Sequence, residues 1–216
     1  MLTRVALFNS LAVFLDQLAV IIISLALTPM IISVLGVSAF GIWQLIVRGT
    51  NYVSLTDGRP HEYLKWQIAR SGTVNDHEKR QYLGAGLVVW LSYLPITIIC
   101  CVGFVFWISF IEEDAGLSSQ VLLFAAILMA FNAILIGIRS FPEAVLKGSN
   151  KGYKQVGIRM LCLLVAGMAS IYMVDNGYGL VGLALVQVIS TIFLSVLFFI
   201  VTKKYIKWVG VSMPTA

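Results

Sequence analysis

The sequence predicts an all-α membrane protein with six transmembrane helices. Of its 216 residues, 59% are hydrophobic and only 12% are charged, whereas soluble domains are typically about 45–50% apolar and about 25% charged. The hydrophobic residues fall into six long runs that lack the apolar–polar alternation of membrane β-strands. Because a helix needs about 20 apolar residues to cross a bilayer, six crossings use about 120 residues. This composition argues against a soluble enzyme, a nucleic-acid-binding protein and a secreted disulfide scaffold.

The apolar runs divide the chain into a transmembrane region, residues 1–203, and a polar tail, residues 204–216. The predicted spans are Phe8–Val34, Phe40–Leu55, Gly84–Ile111, Val121–Phe141, Val156–Val174 and Leu180–Val201. The connection between the second and third spans contains Tyr63, Leu64 and Trp66 beside Lys65. That mixture fits either a short helix on the inner membrane surface or a solvated loop.

Basic residues occur only in alternate connections, and this alternation orients the predicted helices. Lys and Arg lie before the first span and after the second, fourth and sixth, while the other three connections contain none. Cytoplasmic loops carry the excess of Lys and Arg in membrane proteins, so both termini and the 2–3 and 4–5 loops are expected to be cytoplasmic. The net charge of +5 therefore indicates membrane orientation and gives no reason to expect nucleic acid as a partner.

Enzymatic chemistry and metal binding have little support in this sequence. Both histidines, His61 and His77, lie in the predicted 2–3 loop, and the cysteines Cys100, Cys101 and Cys162 lie in apolar runs. No nucleotide-binding, zinc-protease or serine-hydrolase motif is present. We therefore expect a protein that is not an enzyme, with no catalytic residue, no metal site and no cofactor.

Two charged residues stand out because they lie inside predicted spans. Arg48 is near the middle of the second span, and Asp16 is in the inner half of the first. At 1.5 Å per residue both lie roughly 12–14 Å from the cytoplasmic end, so they could form an ion pair. A charge in the centre of a span costs about 2.5–3.5 kcal/mol and usually faces a partner or a water-filled cavity. Asp16 is either a counter-ion to Arg48 or a protonatable coupling site.

Uncharged polar residues continue this pattern at helical spacing. Gln44, Arg48 and Asn51 share one face of the second span. Further candidates in later spans are Asn132, Arg139, Arg159 and Gln187. One interpretation is that these residues line a hydrated, cationic cavity for an anionic substrate, since guanidinium groups match phosphate geometry. The alternatives are separate interhelical hydrogen bonds, worth about 0.6 kcal/mol each, and, for Arg139 and Arg159, extension of the side chain to the inner surface.

Several short motifs carry a resemblance to a known family. They are Pro29–Gly36, Phe40–Trp43, Asp57–Gly58, Ile68–Arg70 and Pro142–Gly148 followed by Tyr153. In order and spacing they resemble the N-terminal lobe of the Wzx-type O-antigen and polysaccharide repeat-unit flippases of the MOP (multidrug/oligosaccharidyl-lipid/polysaccharide) superfamily.

The resemblance implies a function in lipopolysaccharide or other surface polysaccharide synthesis. Such flippases move undecaprenyl-diphosphate-linked oligosaccharides across the bacterial inner membrane by alternating access between two six-helix lobes around a cationic cavity. Arg48 would be a cavity residue, and Asp16 would occupy a coupling position. This chain would form one lobe, so a second lobe or a second copy is an expected partner, and polysaccharide polymerase machinery is a further one.

Two other functions remain open from the sequence. A MATE-like cation-coupled drug exporter with the same fold would have a cavity dominated by acids, whereas basic residues outnumber acids in these spans. A non-transporting truncated remnant or assembly scaffold would tolerate replacement of Arg48.

Overall fold

The structure is a computed structural model that describes residues 2–70, 76–110 and 118–209; in the first helix the side chains are described at residues 10 and 11 and from residue 13 onward. The regular structure in these ranges is helical throughout. It consists of α1 (Leu2–Leu35), α2 (Val37–Val53), a 3-10 helix (Ser54–Asp57), α3 (Pro60–Arg70), α4 (Asp76–Ser109), α5 (Ser119–Gly148), α6 (Tyr153–Asp175) and α7 (Gly179–Tyr205). The predicted tail beyond residue 209 lies outside the described residues.

Five of the described helices are long and apolar enough to cross a membrane. They are the segment Val13–Leu35 of α1 and the whole of α4, α5, α6 and α7. The chain is therefore a multi-pass membrane protein, as the composition predicts.

The predicted second span corresponds to α2, which has only 17 residues. Positive φ angles at Gly36 (82°) and Gly58 (72°) bound the segment formed by α2 and the 3-10 helix, a conformation that glycine adopts without steric cost. A helix of this length reaches about 25 Å, less than the ~30 Å hydrocarbon core. The count of six spans, and the cytoplasmic placement of both termini, therefore stay predictions.

Several helices extend beyond their predicted spans. Helix α4 begins at Asp76 rather than at Gly84, and its first turn contains Asp76 and Glu78, which the positive N-terminal end of the helix dipole favours. Helix α5 continues past Phe141, through Pro142, to Gly148. The apolar pattern locates the part of a helix that suits the membrane, whereas the helix itself continues into polar sequence.

Helix α5 is the centre of the bundle and packs against α7, α4, α3 and α2. Its buried face is rich in small residues, including Ala125, Ala126 and Gly137, which allow helices to approach closely in membranes. A Cβ atom at Gly137 would lie only 2.6 Å from Nε1 of Trp90 in α4. Close α4–α5 packing therefore depends on the missing side chain.

The bundle has one basic end. A core cluster of Leu64, Leu83, Leu146 and Ile206 joins α3, the start of α4, the end of α5 and the segment after α7. The described Lys and Arg side chains of the connections lie at this end, whereas the described connections at the opposite end contain neither residue type. The structure thus places the basic connections together, as the alternation of charge predicts.

The connection between the second and third predicted spans, which the sequence left as either a surface helix or a solvated loop, forms α3. Its residues Leu64 and Ile68 are buried, whereas Tyr63 and Trp66 are exposed. A Cβ atom at Gly148 would lie 2.8 Å from the backbone oxygen of Lys65, so α3 lies directly against the end of α5. The segment is therefore a helix docked on the basic end of the bundle, with an aromatic outer face.

Candidate functional site

Asp16 forms an ion pair with Arg159. Its carboxylate Oδ2 lies 3.4 Å from Nη1 of Arg159 in α6, and Asp16 is only 7% exposed. The expected partner, Arg48, makes no ion pair with any described residue. The expected Asp16–Arg48 pair is wrong because α1 packs mainly against α6, with a smaller contact to its chain neighbour α2. Equal depth in the membrane did not bring the two side chains together.

The Asp16–Arg159 pair lies in a cavity of about 290 Å³ between α1, α6 and the α5–α6 connection. Its charged and amide lining residues are Asp16, Gln17, Lys147, Asn150, Gln155 and Arg159. Ligand pockets in proteins are typically about 300–1,000 Å³, so the cavity is large enough for water or part of a polar ligand. The side chain of Asp16 is its buried acid, and Arg159 and Lys147 supply positive charge.

Gln155 belongs to this cavity and was missed from the sequence. It is 5% exposed, and its Oε1 atom accepts no hydrogen bond from any described residue. A buried acceptor without a donor costs about 1–3 kcal/mol, so the cavity favours a hydroxyl or water that can donate to it. Gln155 precedes Arg159 by four residues and so shares its helix face. This spacing could have predicted Gln155 as a site residue from the sequence.

Arg139 lies beside this cavity, within reach of the charges of Glu143 and Arg159. Its Nε atom is buried and has no hydrogen-bond partner among the described residues. Glu143, one turn further along α5, binds Lys147 at 2.6 Å between Nζ and Oε1. The parts of α1, α5 and α6 towards the basic end of the bundle thus carry one charged network in which Arg139 and Arg159 are neighbours.

The charged network continues towards α3 through a smaller cavity of about 90 Å³ that contains His61 and Glu143. Burial lowers the pKa of His61, against the opposing effect of the Asp57, Glu62 and Glu143 carboxylates. The hydrogen bond from Lys65 lowers the pKa of Glu62. His61 therefore favours the neutral imidazole in the folded protein.

Arg48 lies on the outward face of α2. Arg48 and Asn51 are exposed and Gln44 is half-buried, whereas the opposite face of the helix packs into the bundle through Trp43, Ile46 and Thr50. At 100° per residue, the buried residues cluster about 140–200° away from Arg48. The polar stripe of α2 therefore points away from the bundle's own core.

The remaining predicted site residues lie apart from both the Asp16–Arg159 cavity and the outward face of α2. Asn132 is 3% exposed within α5, and its Oδ1 atom has no hydrogen-bond partner among the described residues. Gln187 is exposed on α7. Neither these residues nor the three of α2 line the Asp16–Arg159 cavity. The structure thus brings Asp16, Arg139 and Arg159 together and leaves the other candidates on separate surfaces.

Comparison with known proteins identifies the architecture. No protein-family model and no curated protein matches the sequence. The structure is similar to an outward-facing MATE-family multidrug resistance transporter of the MOP superfamily, with a TM-score of 0.65 over 98% of this chain at 14% identity. The fold is similar to that of about half of this transporter. The similarity covers 48% of that transporter, so the chain spans about half its length.

A second solved structure gives the same result. It is a MOP-superfamily transporter from Pyrococcus furiosus, described by the reverse polarity of its binding pocket, with a TM-score of 0.57 over 96% of this chain and 44% of its own, at 18% identity. The MOP-type half expected from the short motifs is therefore confirmed at the level of fold.

Proposed function

We propose that the chain is one half of a MOP-type flippase for undecaprenyl-diphosphate-linked oligosaccharides. It would move repeat units across the bacterial inner membrane for O-antigen or another surface polysaccharide. The observation that carries this proposal is the outward placement of Arg48 in a chain that has half the length of its structural neighbours. The proposal assigns no catalytic residue and no cofactor.

The outward-facing side chain of Arg48 needs contact with water or with a second lobe. An arginine facing hydrocarbon costs about 2.5–3.5 kcal/mol on insertion scales, and Gln44 and Asn51 add further polar groups to the same stripe. In a two-lobed transporter, a stripe that points away from one lobe's core can line the cavity between the lobes. Transporters of this kind work by rocking one half against the other, so the second half would be a separate chain, further sequence or a second copy.

The charge of these surfaces favours an anionic substrate. Arg48 has no acidic partner among the described residues, and guanidinium groups bind phosphates through paired hydrogen bonds. Gln44 and Asn51 would form hydrogen bonds with sugar hydroxyls, and the lipid tail would stay in the bilayer. Polysaccharide polymerase machinery would then receive the product on the far side.

The proposal is tested by genetic complementation in a bacterium that lacks its own repeat-unit flippase, with surface polysaccharide as the readout. The test strain expresses this chain together with its second half, where a separate one is encoded. Arg48→Ala should abolish surface polysaccharide, and Arg48→Lys should retain part of it. Lys207→Ala is the control, because Lys207 is an exposed basic residue after the end of α7. Wild-type levels with Arg48→Ala would refute the flippase and favour a non-transporting scaffold.

A MATE-like cation-coupled exporter is the second candidate, because Asp16 is a buried carboxylate in a membrane-spanning helix. In that case Asp16 would be the coupling group and Arg159 its counter-ion. Drug susceptibility separates the two functions. Asp16→Asn should sensitise an exporter-deficient strain to cationic drugs only if the chain is an exporter, whereas Arg48→Ala should then have the smaller effect.

A further inference from the structure

A separate apolar groove of about 430 Å³ opens between α4, α5 and α7 at the basic end of the bundle. Its walls include Leu87, Trp90, Ile138, Phe141 and Phe199. It also contains Thr202, whose hydroxyl donates to the backbone oxygen of Pro142 at 3.3 Å. The groove is thus formed by three membrane-spanning helices and is distinct from the Asp16–Arg159 cavity.

The groove has a positive mouth. Lys203 is its charged lining residue, and Nζ of Lys203 lies 4.6 Å from the centroid of the Phe199 ring. Arg80 donates from Nε to the backbone oxygen of Trp208 at 2.7 Å, next to Val209, which also lines the groove. No Asp or Glu occurs among the lining residues. The charge at the mouth therefore complements an anion attached to an apolar chain.

We propose that this groove binds an anionic phospholipid of the bilayer, with one acyl chain in the groove and the phosphate at Lys203. A groove that is open to the hydrocarbon region and has apolar walls gains free energy from each buried methylene of an acyl chain. Basic pockets between transmembrane helices on the cytoplasmic side of membranes recognise anionic lipid headgroups. The inference requires that the chain spans the membrane with its basic end on the cytoplasmic side, and it is independent of what the chain transports.

Native mass spectrometry of the full chain tests the proposal, after incubation with equal amounts of phosphatidylglycerol and phosphatidylcholine. The wild type should retain one phosphatidylglycerol in preference to phosphatidylcholine. Lys203→Gln should weaken that retention about fivefold, the loss expected for one basic residue at the membrane surface. Lys204→Gln, on the same helical turn but outside the groove lining, should weaken the retention less than Lys203→Gln does.

A groove-filling variant separates binding in the groove from general surface attraction. Ile138→Trp should remove the preferential retention, whereas Ile192→Trp should leave it intact. The two isoleucines are similarly exposed, at 47% and 45%, and Ile138 alone of the two lines the groove.

Three results would overturn the proposal. The first is equal retention of the two lipids by the wild type, which would also be the outcome if another part of the chain filled the groove. The second is unchanged retention in Ile138→Trp. The third is a dimer that Ile138→Trp dissociates, since that would assign the groove to a second copy of the chain.

Discussion

Replacing either partner of the Asp16–Arg159 pair should reduce stability, but by different amounts. The side chain of Asp16 is 9% exposed, whereas that of Arg159 is 39% exposed. Arg159→Gln leaves a buried carboxylate without its partner, while Asp16→Asn leaves a guanidinium that can still reach water or Glu143. Replacing the arginine should therefore destabilise the protein more than replacing the acid, although the arginine is the more exposed of the two.

The size of each stability loss follows from how deeply the two charged side chains are buried. Removing one partner of a fully buried pair costs about 3–5 kcal/mol, and the partial exposure of Arg159 reduces this to about 2–3 kcal/mol for Arg159→Gln. Asp16→Asn should cost about 1 kcal/mol, the scale of one hydrogen bond to a charged group after partial compensation. The double variant should resemble Asp16→Asn, because it leaves no buried charge, so the two substitutions should couple by about 2–3 kcal/mol.

Thermal unfolding of the purified chain in one detergent measures these differences. A loss of 1 kcal/mol lowers the Tm by about 2–4 °C for a chain of this size, so Arg159→Gln should lower it by about 4–12 °C. Gln17→Ala is the control, because Gln17 is exposed and lines the same cavity; it should change stability by less than about 0.5 kcal/mol. A larger loss for Asp16→Asn than for Arg159→Gln, or strict additivity in the double variant, would refute the ion-pair interpretation.

Three further predictions concern α3. Gly148→Val should destabilise the protein by about 1–3 kcal/mol, because a Cβ atom at that position would lie 2.8 Å from the backbone oxygen of Lys65; faster proteolysis within α3 is the readout. Leu64→Ala should cost about 2–5 kcal/mol in thermal unfolding, since Leu64 is 0% exposed. Burial lowers the pKa of His61, so the unfolded chain takes up its proton first as the pH falls through about 6.5. Stability should therefore decrease on acidification, and His61→Gln should weaken that decrease whereas the exposed His77→Gln should not.

The sequence predicted the membrane helices well because hydrophobic length is a local property. The segment Val13–Leu35 and helices α4, α5, α6 and α7 occupy five predicted spans. The second predicted span stays a prediction, since α2, in the segment bounded by the glycines at positions 36 and 58, has only 17 residues. Several helices extend beyond the predicted spans, because charged residues such as Asp76 can be helical outside the apolar segment.

The arrangement of the polar residues was harder to predict. Residue spacing gives the depth of Asp16 and Arg48 and the face they occupy on their own helices, but it does not show which helix lies opposite. The preference of α1 for α6 decides that Asp16 meets Arg159. The face containing Gln44, Arg48 and Asn51 was correctly predicted as one stripe, and its outward direction emerged only from the packing of α2.

The central claim of the proposed function is that the polar stripe of α2 faces an aqueous cavity. Thiol accessibility in intact membranes measures this directly, using a background in which Cys100, Cys101 and Cys162 are replaced by alanine. Gln44→Cys should react with a membrane-impermeant maleimide, whereas Ile99→Cys, on the 70% exposed apolar surface of α4, should not. Protection of the cysteine at position 44 to the same extent as that at position 99 would contradict the account.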